Sequence, residues 1–274
     1  MTIGDALREA ADRLRAAGLG NAPSEAVALW GLVSPSAYID RAQDANADSL
    51  EKFRAMVERR VRREPFSHIS GRRQFYKSIF RVTPDVLDPR PETETLVELA
   101  LHAPFSRVLD LGTGSGCILI SLLLEMPSAT GVGTDISEKA VLVAGQNAEE
   151  LGVADRLILP LSDWYSDIGG RFDLIVSNPP YISAEEMRDL QPEVRDHEPR
   201  TALTDEADGL TAYRRIAGRA LDHLTPGGRL LVEVGPTQGE AVRKMFVDAG
   251  LDNSDIYPDL DGRDRVVSGV APSV

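Results

Sequence analysis

Asn178-Pro179-Pro180-Tyr181 directly follows the apolar run 172–177, which reads as a buried β-strand. Its two prolines remove two backbone N–H donors, and each biases the preceding residue toward extended geometry. The expected product is a rigid ledge whose carbonyl oxygens face outward, with an amide side chain at one end and an aromatic face at the other. Such a ledge suits a planar group carrying an NH2: the acceptors hold its hydrogens while the ring covers its face. Taken alone, the tetrapeptide is also compatible with a tight strand-to-loop turn.

Upstream, an apolar strand ends in Asp110 and runs through Leu111-Gly112-Thr113-Gly114-Ser115-Gly116 into an apolar segment opening at Cys117. Glycine admits positive φ and lets the backbone approach a ligand closely. The spacing Gly-x-Gly-x-Gly differs from the Gly-x-Gly-x-x-Gly of a dinucleotide site, and no Lys-Ser or Lys-Thr follows as in a phosphate-binding loop. The next strand, 131–134, ends in Asp135, placed to accept from ribose hydroxyls. The run 157–161 leads to Asp163 and Trp164, suited to an adenine amine and to packing on the base. A lone aspartate at a strand end is more often a helix cap than a ligand, and one glycine-rich turn is weak. Four such tips in order carry the reading together. An acidic nucleoside pocket with no demand for phosphate suits S-adenosylmethionine, whose sulfonium is cationic. The residues expected to hold it are Asp110, Gly112, Thr113, Gly114, Ser115, Gly116, Asp135, Asp163 and Trp164, with Asn178 at the far end.

The elements that must position these residues alternate from residue 107 onward, strand then helix. That predicts an α/β fold: a class I, Rossmann-like methyltransferase sheet, largely parallel, with helices on both sides. Residues 229–233 and 265–270 read as its later strands, and Thr225-Pro226-Gly227-Gly228 as a turn before the first of them. Residues 1–64 read as a small helical, substrate-docking domain, with apolar positions at helical spacing and a third helix capped near Asp48-Ser49. One face of that helix carries Arg59, Arg60, Arg62 and Arg63, either a solvated face or a docking surface for an acidic partner. Residues 65–87 form the expected linker, extended from His68 and folded into a β-hairpin, and residues 88–274 the catalytic domain. Thr93 to Ala103 returns to helical spacing.

Bulk properties narrow the class. The 274 residues carry a net charge of −13, which argues against nonspecific attraction to nucleic acid. The single cysteine, Cys117, excludes an internal disulfide, and the four histidines show no metal-ligand spacing. Neither a signal core nor a spanning segment is evident, so a cytoplasmic enzyme that does not engage membrane is expected, and a monomer.

At this point the chain resembles the peptide chain release factor glutamine methyltransferases (PrmC/HemK type) over nearly its whole length. The resemblance rests on Glu64-Pro65-Phe66-Ser67-His68-Ile69-Ser70-Gly71, Arg90-Pro91-Glu92-Thr93-Glu94, residues 110–116, Ser162-Asp163-Trp164, Ser177 to Ile182, Glu198-Pro199-Arg200-Thr201-Ala202-Leu203 and residues 238–243. Asn-Pro-Pro-Tyr is shared with methyltransferases acting on nucleobase amines; the arginine-bearing segments are more specific. Asp88 departs from the family, which usually has an apolar residue there. The resemblance implies methyl transfer from S-adenosylmethionine to the side-chain amide nitrogen of the glutamine in the Gly-Gly-Gln motif of class 1 release factors. It implies that the Asn178 oxygen and the Pro179 carbonyl hold the amide hydrogens, with Pro180 and Tyr181 completing the ledge. Arg90, Glu92 and Glu94 are expected either to begin a helix or to contact the substrate loop, and Arg200 is similarly divided. The competing readings are a glutamine methyltransferase acting on a ribosomal protein, a nucleic-acid amino-methyltransferase, and a noncatalytic protein that kept the fold.

Overall fold

The computed structural model describes residues 1–36 and 38–273. The chain forms two compact units, one of residues Met1–Gly71 with Gln191–His197, the other of Arg72–Leu190 with Glu198–Val274. The division differs from the boundaries expected from the sequence in two ways. The hairpin belongs wholly to the second unit, and a seven-residue segment from the middle of the chain belongs to the first.

In the first unit, α1 (Ile3–Ala16), α2 (Ala22–Val33) and α3 (Ala47–Val61) pack around Leu14, Leu29 and Phe53. Trp30 meets Phe53 edge to face, with ring centroids 5.2 Å apart. Thr2 and Asp5 close a capping box on α1, and the Asn46 side chain, rather than Asp48-Ser49, caps α3. Pro65 starts a short helix, α4 (Phe66–Ser70), where an extended chain was expected from His68. A proline just ahead of the first turn suits a helix start, since the N–H it lacks has no helical partner.

The arginines at the end of α3 and just beyond it are mostly paired within the unit. Arg60 is only 7% exposed and donates to Glu25 (2.6 Å) and Glu193 (3.3 Å). Arg63 donates to Glu193 at 2.8 Å and Arg59 to Glu64 at 2.8 Å. Arg62 is exposed, with its Nε on the Glu58 carbonyl. A buried guanidinium is tolerable only when paired, and the two acids that pair Arg60, Glu25 and Glu193, come from separate stretches of sequence.

In the second unit, a two-stranded hairpin of β1 (Arg72–Phe75) and β2 (Ser78–Arg81) buries Phe75 and Phe80 in the main core. Thr93 then precedes α5 (Glu94–Leu101). The central sheet follows with β3 (Arg107–Leu111), α6 (Cys117–Glu125), β4 (Thr130–Thr134), α7 (Glu138–Glu150), β5 (Leu157–Ile158) and β6 (Phe172–Ser177). After α8 (Pro192–His197), which lies in the first unit, come α9 (Arg200–Leu203), α10 (Thr211–His223), β7 (Leu224–Glu233), α11 (Gly239–Asp248), β8 (Asp252–Pro258) and β9 (Asp264–Val270).

The seven strands run in the order β5-β4-β3-β6-β7-β9-β8; the first five are parallel, and β9 and β8 are antiparallel to their neighbours. One apolar cluster contains Leu96, Leu119 and Val176; a second contains Ile175, Tyr213 and Phe246. Adjacent residues of β6 point to opposite faces, so Ile175 and Val176 feed different clusters. β5 is shorter than expected: Pro160 has no N–H for the ladder, and only an isolated bridge between Asp135 and Leu161 continues it. The 225–228 segment is drawn into β7, with a register shift between Phe172 and Leu174 on β6. β8 was not expected, because an edge strand as polar as Asp252–Pro258 lacks the apolar alternation that marks a strand.

The register places the site. Leu111 sits beside both Thr134 and Ser177, and Ser177 beside Val232. Gly112, Asp135, Asn178 and Glu233 therefore follow one another at the carboxyl ends of four adjacent strands, the side of an open α/β sheet where ligands bind.

Candidate active site

A cavity of about 340 Å³ opens over these strand ends. Gly112, Thr113, Gly114 and Ser115 form one wall. The loop is held by backbone: Thr113 N–H donates to the Thr134 carbonyl and Gly116 N–H to the Thr113 carbonyl, both at 2.8 Å. Gly112, Gly114 and Gly116 all have positive φ. A side chain at Gly116 would strike Ile120 and Ala144, so this glycine also lets α6 lie close to α7.

Asp110 does not line the cavity. It is fully buried behind the loop, where its Oδ2 accepts from the Thr113 hydroxyl at 2.7 Å, and burial pushes its carboxyl up to about 7. Its role is to brace the loop from below. Asp135 does line the cavity. Its Oδ2 accepts from Gly114 N–H (3.0 Å) and its Oδ1 from Ser137 N–H (2.9 Å), which joins the first two strand tips; burial raises its carboxyl. Each oxygen retains a lone pair for a ligand hydroxyl.

Asp163 and Trp164 form a further wall. Trp164 has positive φ, 55°, uncommon for a bulky residue. Asp163 pairs with Arg215 at 3.0 Å, a partner 52 residues away that no local motif announces.

Asn178 and Pro180 line the cavity, whereas Pro179 and Tyr181 do not. The Asn178 Nδ2 donates to the Thr93 hydroxyl at 3.2 Å. Tyr181 packs against the α10 and α11 side of the core, and burial pushes its hydroxyl up to about 12. Its carbonyl accepts from the Gln238 side chain at 2.9 Å, and the same Nε2 reaches the Gly209 carbonyl at 3.3 Å. Gly209 lies so close that an added Cβ would stand 2.3 Å from the Tyr181 carbonyl oxygen. Gln238 and Gly209 thus clamp the ledge from behind, a task no local motif announces.

The charged residues of the two arginine-bearing segments meet each other. Arg90 Nη2 donates to both oxygens of the buried Glu198 carboxylate, each at 2.7 Å. Asp88, also buried, lies 3.6 Å from Arg73 and 3.9 Å from Arg90, so the residue that departs from the family joins the same cluster. Arg90 lines the cavity, as do Pro199 and Thr201, so the ion pair draws two walls together. Glu92 is exposed. Glu94 accepts from Tyr76 N–H at 2.9 Å and so faces the hairpin, away from the cavity. Arg200 is exposed and paired with Glu206.

The donor set fits S-adenosylmethionine. The acids at the cavity are Asp85, Asp135, Asp163, Asp205 and Glu206, and both of its arginines, Arg90 and Arg215, are already committed to carboxylates. Among the described residues, no free cation lining the cavity is left for a phosphate, and the acidic surround favours a sulfonium. The volume lies within the range of small-molecule pockets. Among the described residues no group of His, Cys, Asp and Glu is placed to hold a metal ion, and no helix is long and apolar enough to cross a membrane.

Comparison with known proteins agrees with this geometry. Residues 86–193 match the family model described as Methyltransferase small domain, and residues 5–71 the PrmC N-terminal domain. A release factor glutamine methyltransferase of Cereibacter sphaeroides is 50% identical over 277 residues, covering 100% of both chains. That of Caulobacter vibrioides is 42% identical, covering 98% of this chain and 96% of its own. A bifunctional methyltransferase of Rickettsia felis is 37% identical over 97% of this chain and 57% of its own. Among solved structures, a methyltransferase from Pyrococcus furiosus superposes with a TM-score of 0.54 at 15% identity, covering 82% of this chain and 99% of that one, a likeness of fold alone.

Proposed function

The chain belongs to the release factor glutamine methyltransferases, and from that membership we infer that it methylates the side-chain amide nitrogen of a release factor glutamine with S-adenosylmethionine as donor. A class 1 release factor and its Gly-Gly-Gln motif are the substrate we assign, and the cytoplasm its place of work. The observation that carries the reading is the Asn178 carboxamide, set into the cavity wall with its nitrogen already committed to Thr93.

When bound, S-adenosylmethionine would supply an electrophilic methyl, its carbon–sulfur bond breaking as the amide nitrogen bonds to the carbon and sheds a proton to solvent. The residues that would hold the cofactor are the 112–115 loop, Asp135 through the ribose hydroxyls, and Asp163 and Trp164 at the base. The remaining work falls to the Asn178 carboxamide in the cavity wall. An amide nitrogen is a poor nucleophile because its lone pair is delocalised into the carbonyl. An acceptor on its hydrogens aims the nitrogen and raises its electron density, and positioning of this kind is worth up to roughly 7–11 kcal/mol in ideal intramolecular cases. The same ledge geometry would also receive an aromatic amine; the full-length relatives favour glutamine.

The test is to incubate the protein with labelled S-adenosylmethionine and purified release factor, then locate the label by peptide mass spectrometry. Label on the Gly-Gly-Gln glutamine is the expected result. Label elsewhere, or none, overturns the reading.

A further inference from the structure

Ser177 lies beside Val232 in the parallel register, so Asn178 and Glu233 leave the sheet at neighbouring tips. Thr93, at the start of α5, acts on both: its hydroxyl accepts from Asn178 Nδ2 at 3.2 Å, and its side chain favours the charged form of the Glu233 carboxyl. Thr93 is 2% exposed and Glu233 1%, and Glu233 Oε2 is buried with no hydrogen-bond partner.

We propose that Thr93 and Glu233 are positioning residues that fix which way the Asn178 carboxamide faces, turning its oxygen to the cavity to accept a substrate N–H. The proposal rests on the reading of Asn178 as the acceptor for the target amide. A carboxylate can only accept, so the single Thr93 O–H must donate to it. The Thr93 oxygen is then left to accept, and only the NH2 end of Asn178 can satisfy it. The oxygen end is thereby assigned to the cavity without any direct contact between Glu233 and substrate. Protonation of Glu233 removes this constraint. A carboxylic acid can donate to Thr93, Thr93 can donate onward, and Asn178 can turn its NH2 to the cavity, where it repels the amide it should hold.

Burial pushes the Glu233 carboxyl up to about 7, against the opposing effect of Thr93 and of Arg265, 3.7 Å away. The other groups that face it are Glu92, which raises it, and Arg90, which lowers it. The Tyr181, Tyr213 and Cys117 protons are all held above their ordinary range, and Asp259 is held low behind Arg265. Asp110, behind the glycine loop, is also raised to about 7, so the Asn178 signal and the Glu233→Gln variant, rather than the kcat limb alone, assign the titration to Glu233.

Two measurements test the relay. First, kcat and KM for release factor are followed from pH 6 to 9 at saturating S-adenosylmethionine. Wild type should lose about tenfold in kcat per pH unit below 7, and Glu233→Gln should flatten that limb. Thr93→Val, close in shape, should lower kcat by about 10- to 100-fold with KM and cofactor affinity within twofold, and Thr93→Ser should restore most of the loss. Second, in 15N-labelled protein the Asn178 side-chain NH2 pair, identified by its loss in Asn178→Ala, should titrate near pH 7 in wild type and stay still in Thr93→Val and Glu233→Gln. A pair that does not titrate, or titrates alike in Thr93→Val, overturns the relay; so does Thr93→Val turning over within twofold of wild type. Wild type that methylates no release factor defeats the substrate assignment instead, and the NMR titration still decides the relay.

Discussion

The two halves of the cavity are built on different principles. The glycine loop is shaped by its own backbone, with positive φ at three glycines and Gly116 on the Thr113 carbonyl, and is steadied by the next strand tip and by Asn147 on the Ser115 carbonyl. The Asn178 ledge is held by side chains from far away, with Thr93 on one side and Gln238 and Gly209 behind. A site that binds an unvarying small molecule can be made from local conformation. A site that must aim one amide at one carbon needs orientation fixed from several directions, and the fold supplies these only after long-range packing.

The comparison is broken most directly at the ledge. Asn178→Ala should lower turnover by about 10² to 10³, roughly 2.7–4 kcal/mol, while leaving S-adenosylmethionine binding intact, as removal of a preorganised polar group does. Turnover near wild type in a mutant with native circular dichroism would contradict it.

Two glycine substitutions separate close packing from backbone freedom. Gly209→Ala forces a methyl onto the Tyr181 carbonyl at positive φ and should cost about 2–3 kcal/mol in a denaturant titration. Gly114→Ala meets open space and should cost only about 1–2 kcal/mol, from φ alone. Equal costs would mean that the ledge is not tightly buttressed.

Asp135→Ala should weaken S-adenosylmethionine binding by about 1.5–3 kcal/mol, the worth of hydrogen bonds to a charged group, with kcat less affected. Unchanged affinity of the folded mutant by calorimetry would remove Asp135 from the ribose site.

The smallest effect concerns stability against pH. The folded-state carboxyl of Glu233 is raised to about 7, above its unfolded value. Its contribution is therefore fully present below the unfolded value and is lost as pH rises through 7. Glu233→Gln, neutral throughout, should be more stable than wild type at pH 8, by on the order of 1 kcal/mol, and no more stable at pH 4. Thermal melts at both values decide it, and a gain at pH 4 as large as at pH 8 would reject burial of the charge as its cause.

How much was legible follows the same line. Residues 110–116, Asp135 and Asn178 announce themselves because glycine, proline and strand-end acids have local meanings. Thr93 and Asn178 are 85 residues apart, Arg90 and Glu198 108, and Gln238 and Tyr181 57. No periodicity or turn chemistry predicts such pairs. The pairing of Arg60 and Arg63 escaped for the same reason: their amphipathic spacing is plain, but Glu25 and Glu193, which neutralise them, are distant in sequence. Asp110 was placed a layer too far forward, since a residue ending a strand has the cavity on one side and the core on the other. Polar β8 escaped notice because pairing with β9 alone makes it a strand.

The excursion of residues 191–197 makes the helical unit discontinuous in sequence. A cut at residue 71 therefore does not yield two modules. The N-terminal piece would lose Glu193 and leave Arg60 without one of its two acidic partners, while the remainder would carry a stranded acidic segment between the Asn178 ledge and Glu198. Chimaeras that exchange helical units among relatives must transplant this heptad along with the leading 71 residues. A swap at the obvious junction would be a test of mismatched stitching, not of substrate choice.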